Sequence, residues 1–474
     1  MAVPYDLVVL GGGAAGLTVA SVAAQLQAKV ALIERDRLGG DCLWFGCVPS
    51  KALIEVSRRA WRARHSQRLG IHTEVRVDFP QVLEWVHHAV AAVQPHDSPE
   101  RFRGLGVEVI SGEGYFVDGR TVAVGDRRLR ARAFAVTTGS RPHIPDIPGL
   151  IQAGFLTNEQ VFSLPECPKN LLVVGGGPIG CELGQALARL GAHVTILAAG
   201  DRLLPRADPD LSAALTERFQ TEGIDVVLRA RVERVCVDGT DKVAVVGDHT
   251  YRGHALLVAT GRVPNVESLD LASAGVTYTA QGISVNRGMQ TTNPRIFAAG
   301  DVVGPPYFTH AAGQEAVVLV QNALFPRWGQ TAMDYRVLPW VIFTDPEVAA
   351  VGLTEPQARA RYPDVQVTTQ PLAAVDRAQA SGHTVGFAKV LHRPNGQIVG
   401  AHWIGEGAGE WAAEGVLTMA QRLPLGSLGG IHAYPTFAEI NLKLAQQARR
   451  TAYQQRPWLA AGLQRLFAAL RAWG

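Results

Sequence analysis

Two cysteines five residues apart, Cys42 and Cys47, stand in the segment Gly39-Gly-Asp-Cys-Leu-Trp-Phe-Gly-Cys-Val-Pro-Ser-Lys51. On one regular helix their Cα atoms would be roughly 8–9 Å apart, and a disulfide tolerates less than about 7 Å. The spacing predicts that Cys42 lies in a turn ahead of a helix, or that the helix's first turn is distorted. Gly39, Gly40 and Gly46 permit either, and Pro49 interrupts the donor pattern. A metal site would favour a shorter cysteine spacing with further Cys or His close by. None is close in sequence, so the pair reads as a redox couple and no metal ligands are assigned. Cys167, Cys181 and Cys236 have no motif around them and read as packing. Five cysteines, odd and sparse, do not make a secreted disulfide framework.

Two glycine loops supply a second chemistry. Tyr5–Leu10 reads as a short buried strand and runs into Gly11-Gly-Gly-Ala-Ala-Gly16. A helical pattern through Val19, Val22 and Ala23 follows, then a strand over 30–33 that ends at Glu34. Gly11, Gly13 and Gly16 would let a pyrophosphate approach the helix N-terminus, and Glu34 would accept a bond from a ribose hydroxyl. The unit recurs as strand Asn170–Val174, loop Gly175-Gly-Gly-Pro-Ile-Gly180, a helix over 181–190 and a strand over 193–197. Gly175, Gly177 and Gly180 repeat the pattern, with Pro178 at an early helical position. No carboxylate ends this second unit, which reads Leu197-Ala-Ala-Gly200. Arg202 and Arg206 follow and could meet a 2′-phosphate, which favours NADPH over NADH; as solvated surface arginines they would favour neither.

These sites need scaffolding. A chain of 474 residues builds two to four domains. Its 47% apolar and 18% charged composition is that of a globular protein, and a net charge of +3 gives no reason to invoke nucleic acid. No leader or membrane-length apolar run is read from the sequence, so the expected compartment is the cytoplasm. The Pro-rich stretch 141–149 reads as a linker, 295–301 as a strand ending in Gly-Asp, and the texture turns to alternating strands from about residue 340.

With these motifs in hand, the chain resembles the class I pyridine nucleotide-disulfide oxidoreductases, among them glutathione reductase, dihydrolipoamide dehydrogenase and mercuric reductase. Further matching segments are Thr138-Gly-Ser140, Ala259-Thr-Gly-Arg-Val-Pro-Asn265, Ala298-Ala-Gly-Asp301, Phe343-Thr-Asp-Pro-Glu347 and Tyr434-Pro-Thr-Phe-Ala-Glu439. The resemblance implies an α/β fold with two Rossmann-like dinucleotide-binding domains, for FAD and NAD(P)H, and an α+β C-terminal dimerisation domain. The expected boundaries are 1–148 and 271–339 for the FAD-binding domain, 149–270 for the NAD(P)H-binding domain, 340–456 for the dimerisation domain and 457–474 for an amphipathic helix.

It also implies residue roles. Cys47 is the proximal cysteine facing the flavin, Cys42 the exchanging one, Lys51 the lysine beside the flavin and Glu182 its ion-pair partner. Cationic and helix N-terminal fields there should lower the pKa of Cys47. Asp301 and the turn from Tyr307 to His310, which places a helix N-terminus, belong to the flavin site; Gly114, Thr138, Gly139 and Ser140 match adenine-side contacts, and Gly261 and Arg262 the nicotinamide domain's exit loop. In a homodimer, Tyr434 and Glu439 would face the partner's cysteine pair. Electrons would pass from NAD(P)H through FAD to Cys42 and Cys47.

The chain departs from the disulfide reductases at Tyr434, where they carry a catalytic histidine. His432 lies two residues earlier and on a strand would point the same way. Tyrosine is what mercuric reductases resemble here, yet no cysteine follows Cys236, and a metal-trafficking domain ahead of Gly11 is not seen. Trp44 stands where a small polar residue is usual. The expected acceptor is therefore a soft metal ion, with lipoamide or another disulfide as the alternative. A third reading is a membrane- or complex-bound electron carrier, suggested by an apolar stripe from Trp458 to Trp473; packing of that stripe against the protein or a partner subunit is preferred.

Overall fold

The computed structural model describes residues 4–325 and 329–474. Met1, Ala2 and Val3, part of the stretch read as leaderless, lie outside the described residues. Two compact units emerge, one of residues up to 201 together with 223–334, the other of 202–222 together with 335–474.

In the first unit, β1 (Tyr5–Leu10), β2 (Val30–Glu34), β3 (Glu108–Ser111), β4 (Gly114–Asp118), β5 (Thr121–Val124) and β6 (Arg127–Val136) form a sheet ordered β3-β2-β1-β6-β5-β4. The short strand Ile296–Ala298 joins β6 in parallel. The central strand β1 is apolar from Leu7 to Leu10 because it is covered on both faces there: Leu7 and Val9 pack on one side, Val8 and Leu10 on the other. Burying each such side chain contributes about 1.5–3 kcal/mol. Helices α1 (Ala14–Gln25), α2 (Gly40–Trp44) and α3 (Cys47–Arg64) follow the first two strands. A second, all-parallel sheet has the order β9-β8-β7-β10, from β7 (Asn170–Val174), β8 (His193–Ala198), β9 (Asp225–Leu228) and β10 (Ala255–Val258). Its glycine loop opens α4 (Pro178–Leu190), and α5 (Thr309–Leu324) completes the elements around the candidate site.

In the second unit, β11 (Pro339–Ile342), β12 (Glu347–Gly352), β13 (Gln366–Pro371), β14 (Phe387–His392) and β15 (Ile398–Gly405) make an antiparallel sheet ordered β11-β12-β15-β14-β13. The alternating texture expected from about residue 340 is this sheet. Its core centres on Trp403, whose indole N–H donates to Asn441 Oδ1 at 3.1 Å. The helix Pro209–Thr221 falls in sequence between β8 and β9 yet belongs to this unit. Lys389 on β14 holds it there. Its ammonium, 2% exposed, contacts Asp208 at 2.9 Å, Asp210 at 2.7 Å and Glu355, at the start of α6 (Glu355–Arg361), at 2.5 Å. Asp208 is fully buried and also accepts the Glu355 N–H.

Helix α7 (Asp376–Ser381) precedes β14, and α8 (Glu439–Gln454) leads into α9 (Pro457–Trp473). The stripe expected on α9 is present and packs against its own chain only near its start: no residue of α9 is buried, and Leu459, Ala460 and Leu463 are half-buried. Among the described residues no helix is long and apolar enough to cross a membrane.

Candidate active site: a cysteine pair at a helix N-terminus

Cys42 lies in the short helix α2 and Cys47 is the first residue of α3. Phe45 and Gly46 leave the helical region between them, so the pair is not on one continuous helix, as the spacing requires. Gly39 and Gly40, at φ +103° and +58°, turn the chain into α2, and Gly46 carries the break itself. Asn158 ties down the break: its Nδ2 donates to the Phe45 carbonyl at 3.0 Å and to Asp41 Oδ1 at 3.3 Å.

Both cysteines are free thiols, hydrogen-bonded to each other. Thr309 Oγ1, at the start of α5, lies 3.3 Å from Cys47 Sγ. Gly46 offers no side-chain cap, so the first-turn N–H groups of α3 add their positive field at Cys47. Lys51, one turn on, pairs with Glu182 of α4 at 2.8 Å. The hydrogen bond from Cys42 lowers the Cys47 pKa; burial opposes it, and Thr309 and the Lys51 charge help bring it to about 6. The same contact with Cys47, with burial, pushes the Cys42 thiol up. The pair is thus an asymmetric dithiol, one sulfur a thiolate at neutral pH and the other its protonated donor. Burial pushes the Cys167 thiol up to about 11, and Cys181, wholly buried, is pushed up as well.

This asymmetry is measurable. In the reduced protein, the alkylation rate at the Cys47 peptide should rise with pH through a midpoint near 6, because only the thiolate reacts. Lys51→Met removes a charge that lowers the pKa and should move the midpoint up. Glu182→Gln removes one that raises it and should move the midpoint down. Peptide-resolved iodoacetamide kinetics read both shifts; a Cys47 midpoint near 8.5 in the unsubstituted protein would contradict the geometry.

The first glycine loop forms a cradle that side chains cannot enter. A Cβ on Gly16 would lie 1.8 Å from the Gly11 carbonyl, and Gly11 itself, at φ +102°, abuts Thr137 O. No side chain caps the N-terminus of α1, so its N–H groups are available to a pyrophosphate. Gly13 approaches Gly40 closely, which brings the loop against the cysteine segment. Glu34 Oε2 accepts the Gly12 N–H at 2.6 Å. Gly175, Gly177 and Gly180 repeat the arrangement at α4: a Cβ on Gly180 would meet the Gly175 carbonyl at 2.1 Å, and Gly177 precedes Pro178 without a side-chain cap. Both loops therefore fit the two dinucleotides, FAD and NAD(P)H, that the sequence suggested. Gly114 opens β4 and is buried. Thr138 donates to the Asn265 carbonyl at 2.7 Å, and Gly139 sits at φ +68°. His310 stacks on Phe308 with ring centroids 5.4 Å apart.

Arg262, which follows Gly261 at the exit of the second dinucleotide unit, turns its guanidinium toward Ser140, Asp301 and Asp41. Its Nε donates to Ser140 Oγ at 2.6 Å and lies 3.5 Å from Asp301, while Nη2 lies 3.3 Å from Asp41. The cause is its strand: residues 262–264 pair antiparallel with Ser140–Pro142. Ser140 in turn donates to Asp301 at 2.5 Å. Burial raises the Asp301 pKa, and the Ser140 bond and Arg262 charge oppose it. Gly261, at φ +138°, makes the turn into this strand. Asp41, Asn158 and Thr309 were given no roles of their own from sequence; Asp41 sits inside the cysteine motif and Thr309 inside the turn 307–310, whereas Asn158 carried no signal. Trp44 donates to the Leu38 carbonyl and carries the Arg37 guanidinium 3.8 Å above its ring.

In the second unit, the strand expected through 432–434 is not formed, and the two side chains take different partners. Tyr434, 70% exposed, donates to Asp376 Oδ2 at 2.8 Å, at the N-terminus of α7. That hydrogen bond and the Asp376 charge raise its pKa above the ordinary tyrosine value. His432 Nε2 lies 3.0 Å from Glu414 Oε2; burial works against its protonated form, but Glu414 prevails and its pKa rises. Glu439, buried at the start of α8, accepts the Thr436 N–H at 3.4 Å. Arg202 donates to the Pro205 carbonyl, and Arg206 is exposed.

Residues 5–316 match the model of the pyridine nucleotide-disulphide oxidoreductase family, and residues 338–445 that of its dimerisation domain. A mercuric reductase of Staphylococcus aureus is 34% identical over 93% of this chain and 82% of its own length. A dihydrolipoyl dehydrogenase of Geobacillus stearothermophilus is 37% identical over 95% of this chain and 97% of its own. Among solved structures, LpdA from Mycobacterium tuberculosis superposes with a TM-score of 0.86 at 28% identity, over 94% of this chain and 99% of its own. The Cu(II) complex of the HOCl-induced flavoprotein disulfide reductase RclA from Escherichia coli does so at 0.85 and 27%, with the same coverage.

Proposed function

Since this chain belongs to the pyridine nucleotide-disulphide oxidoreductase family, we propose that it passes electrons from NADPH through Cys42 and Cys47 to a soft metal ion, as a mercuric-reductase-like homodimer in the cytoplasm. The enzyme is a flavoprotein oxidoreductase that uses FAD and a pyridine nucleotide. The chemistry FAD supplies, when bound, is to accept a hydride and deliver an electron pair to sulfur. The FAD loop is Gly11 to Gly16 with Glu34, Gly114, residues 138–140, Asp301 and His310; the nicotinamide nucleotide takes Gly175 to Gly180 and Gly261. Arg262 serves the FAD side, through Ser140 and Asp301. NADPH is preferred because residues 197–200 hold no carboxylate for an unphosphorylated ribose.

Within the chain, Cys47 holds its charge under Thr309, Lys51 and the α3 N-terminus. Cys42 keeps the proton until a thiophilic acceptor takes its sulfur. Tyr434 and Glu439 of one subunit serve the cysteine pair of the partner subunit. The observation that carries the metal-ion reading is the Tyr434–Asp376 hydrogen bond. Its acceptor carboxylate keeps the phenol protonated at neutral pH, so this position offers a neutral oxygen to a thiolate-held ion and no base for dithiol exchange.

The His432–Glu414 contact favours a second reading, reduction of lipoamide or another disulfide, because it forms a histidine–carboxylate pair able to take a proton. Steady-state rates with Hg(II), lipoamide and glutathione disulfide, each with NADH and NADPH, separate the two. The expected result is fastest turnover with Hg(II) and NADPH, and loss of little rate in His432→Gln. Fast lipoamide turnover that collapses in His432→Gln would establish the second reading instead.

A further inference from the structure

We propose that α9 is a membrane-surface anchor that lays its apolar stripe into an anionic lipid interface. Leu459 and Leu463 are half-buried, but the rest of the stripe is uncovered: Trp458 is 71% exposed, Leu466 51%, Phe467 52%, Leu470 54% and Trp473 92%. At 100° per residue these side chains, with Leu459 and Leu463, span roughly half the helix circumference. The opposite face holds Gln464 and small alanines, and Arg465 and Arg471 stand at its two borders with the stripe. Arginines at those borders can bury their stems along lipid while their guanidinium groups reach phosphate. Trp458 and Trp473 place an amphipathic ring at each end of the helix, where interfacial residues are favoured.

Charge selects lipid over a second copy of the chain as the occupant. After Glu439 the sequence has no acidic residue but six basic ones: Lys443, Arg449, Arg450, Arg456, Arg465 and Arg471. A two-fold contact through this helix would set like charge against like charge. An anionic leaflet attracts Arg465 and Arg471 at the borders of the stripe, and the attraction falls with salt. The helix carries no acid of its own to oppose it.

The test uses the full-length, FAD-loaded dimer. Sedimentation with phosphatidylcholine vesicles, with and without 30 mol% phosphatidylglycerol, should show binding that depends on the anionic lipid and weakens at least tenfold between 50 mM and 500 mM NaCl. The double substitution Leu466→Glu/Phe467→Glu should reduce binding at least tenfold while FAD content and NAD(P)H-dependent dye reduction stay unchanged. Arg465→Gln/Arg471→Gln should weaken binding and flatten its salt dependence. Absence of vesicle binding by the unsubstituted dimer overturns the proposal, as does binding that survives the glutamate pair. Dissociation of the dimer by the glutamate pair, read by light scattering, overturns it in favour of a subunit contact.

Discussion

Cys47→Ser is expected to lower turnover with any acceptor reduced at the sulfur pair by ~10^3-fold or more, with FAD content unchanged. The argument is local. Cys47 is the sulfur held as thiolate, with a pKa of about 6, and no other group near it can take that role: Cys42 is pushed the opposite way, and Thr309 is a hydroxyl. Serine keeps the size and the contact to Thr309 but has no accessible anion at neutral pH. The two-electron-reduced protein should show a long-wavelength thiolate-to-flavin absorption band that Cys47→Ser abolishes. Cys42→Ser should behave differently. It also stops turnover, but it leaves Cys47 without a disulfide partner, so the thiolate and its band should persist even in the oxidised enzyme. Absorption spectra of the three proteins under anaerobic titration decide the matter. A band that survives Cys47→Ser, or one that Cys42→Ser removes, would reverse the assignment of the two sulfurs.

What could be read from the residues was what local chemistry dictates. Gly11, Gly16, Gly175 and Gly180 announce themselves because a Cβ there would strike backbone, and no other residue type solves that problem. The five-residue cysteine spacing likewise forces a break that α2 and α3 display. Strands β1, β2, β7 and β8 were visible as short apolar runs because both their faces are covered. The contacts of Arg262 were illegible for a complementary reason: its motif lies in the second dinucleotide unit, and only the pairing of residues 262–264 with Ser140–Pro142 turns it toward Asp301 and Asp41. Asn158 reaches the cysteine segment from far along the chain and carries no motif, and the turn that holds Thr309 gave no sign of its contact with Cys47. The 432–434 segment looked extended, but Asp376 and Glu414, distant in sequence, pull its side chains apart. The stripe of α9 was legible as a pattern, whereas its exposure depended on what the fold left uncovered.

The Lys389 cluster belongs to the same illegible class, and it yields the largest expected stability effect. Lys389→Met should destabilise the second unit by about 3–5 kcal/mol, the range for removing one partner of a buried ion pair. Asp208 and Lys389 are 0% and 2% exposed, so water cannot replace the lost contact. Burial works against charge on both, yet the partners win: Lys389 is held above the ordinary lysine value, and Asp208 and Glu355 below the ordinary carboxylate range. The depressed carboxylates contribute stability that is present above their unfolded pKa, near 4, and lost as pH falls through the folded value. The raised lysine contributes stability that is complete below its unfolded pKa, near 10.4, and lost only as pH rises through the still higher folded value. Between about pH 5 and pH 10 the cluster is therefore at full strength. In Lys389→Met the sign at Asp208 inverts, because a buried carboxylate without its cation prefers the proton. The penalty should be greatest at neutral pH and shrink toward pH 4, and Asp208→Asn added to Lys389→Met should recover part of it. Urea unfolding at pH 7 and pH 4 measures each case. A pH 7 loss below about 1 kcal/mol, the range of an exposed pair, would mean that the cluster is hydrated and that helix Pro209–Thr221 is held to the sheet by its apolar contacts alone.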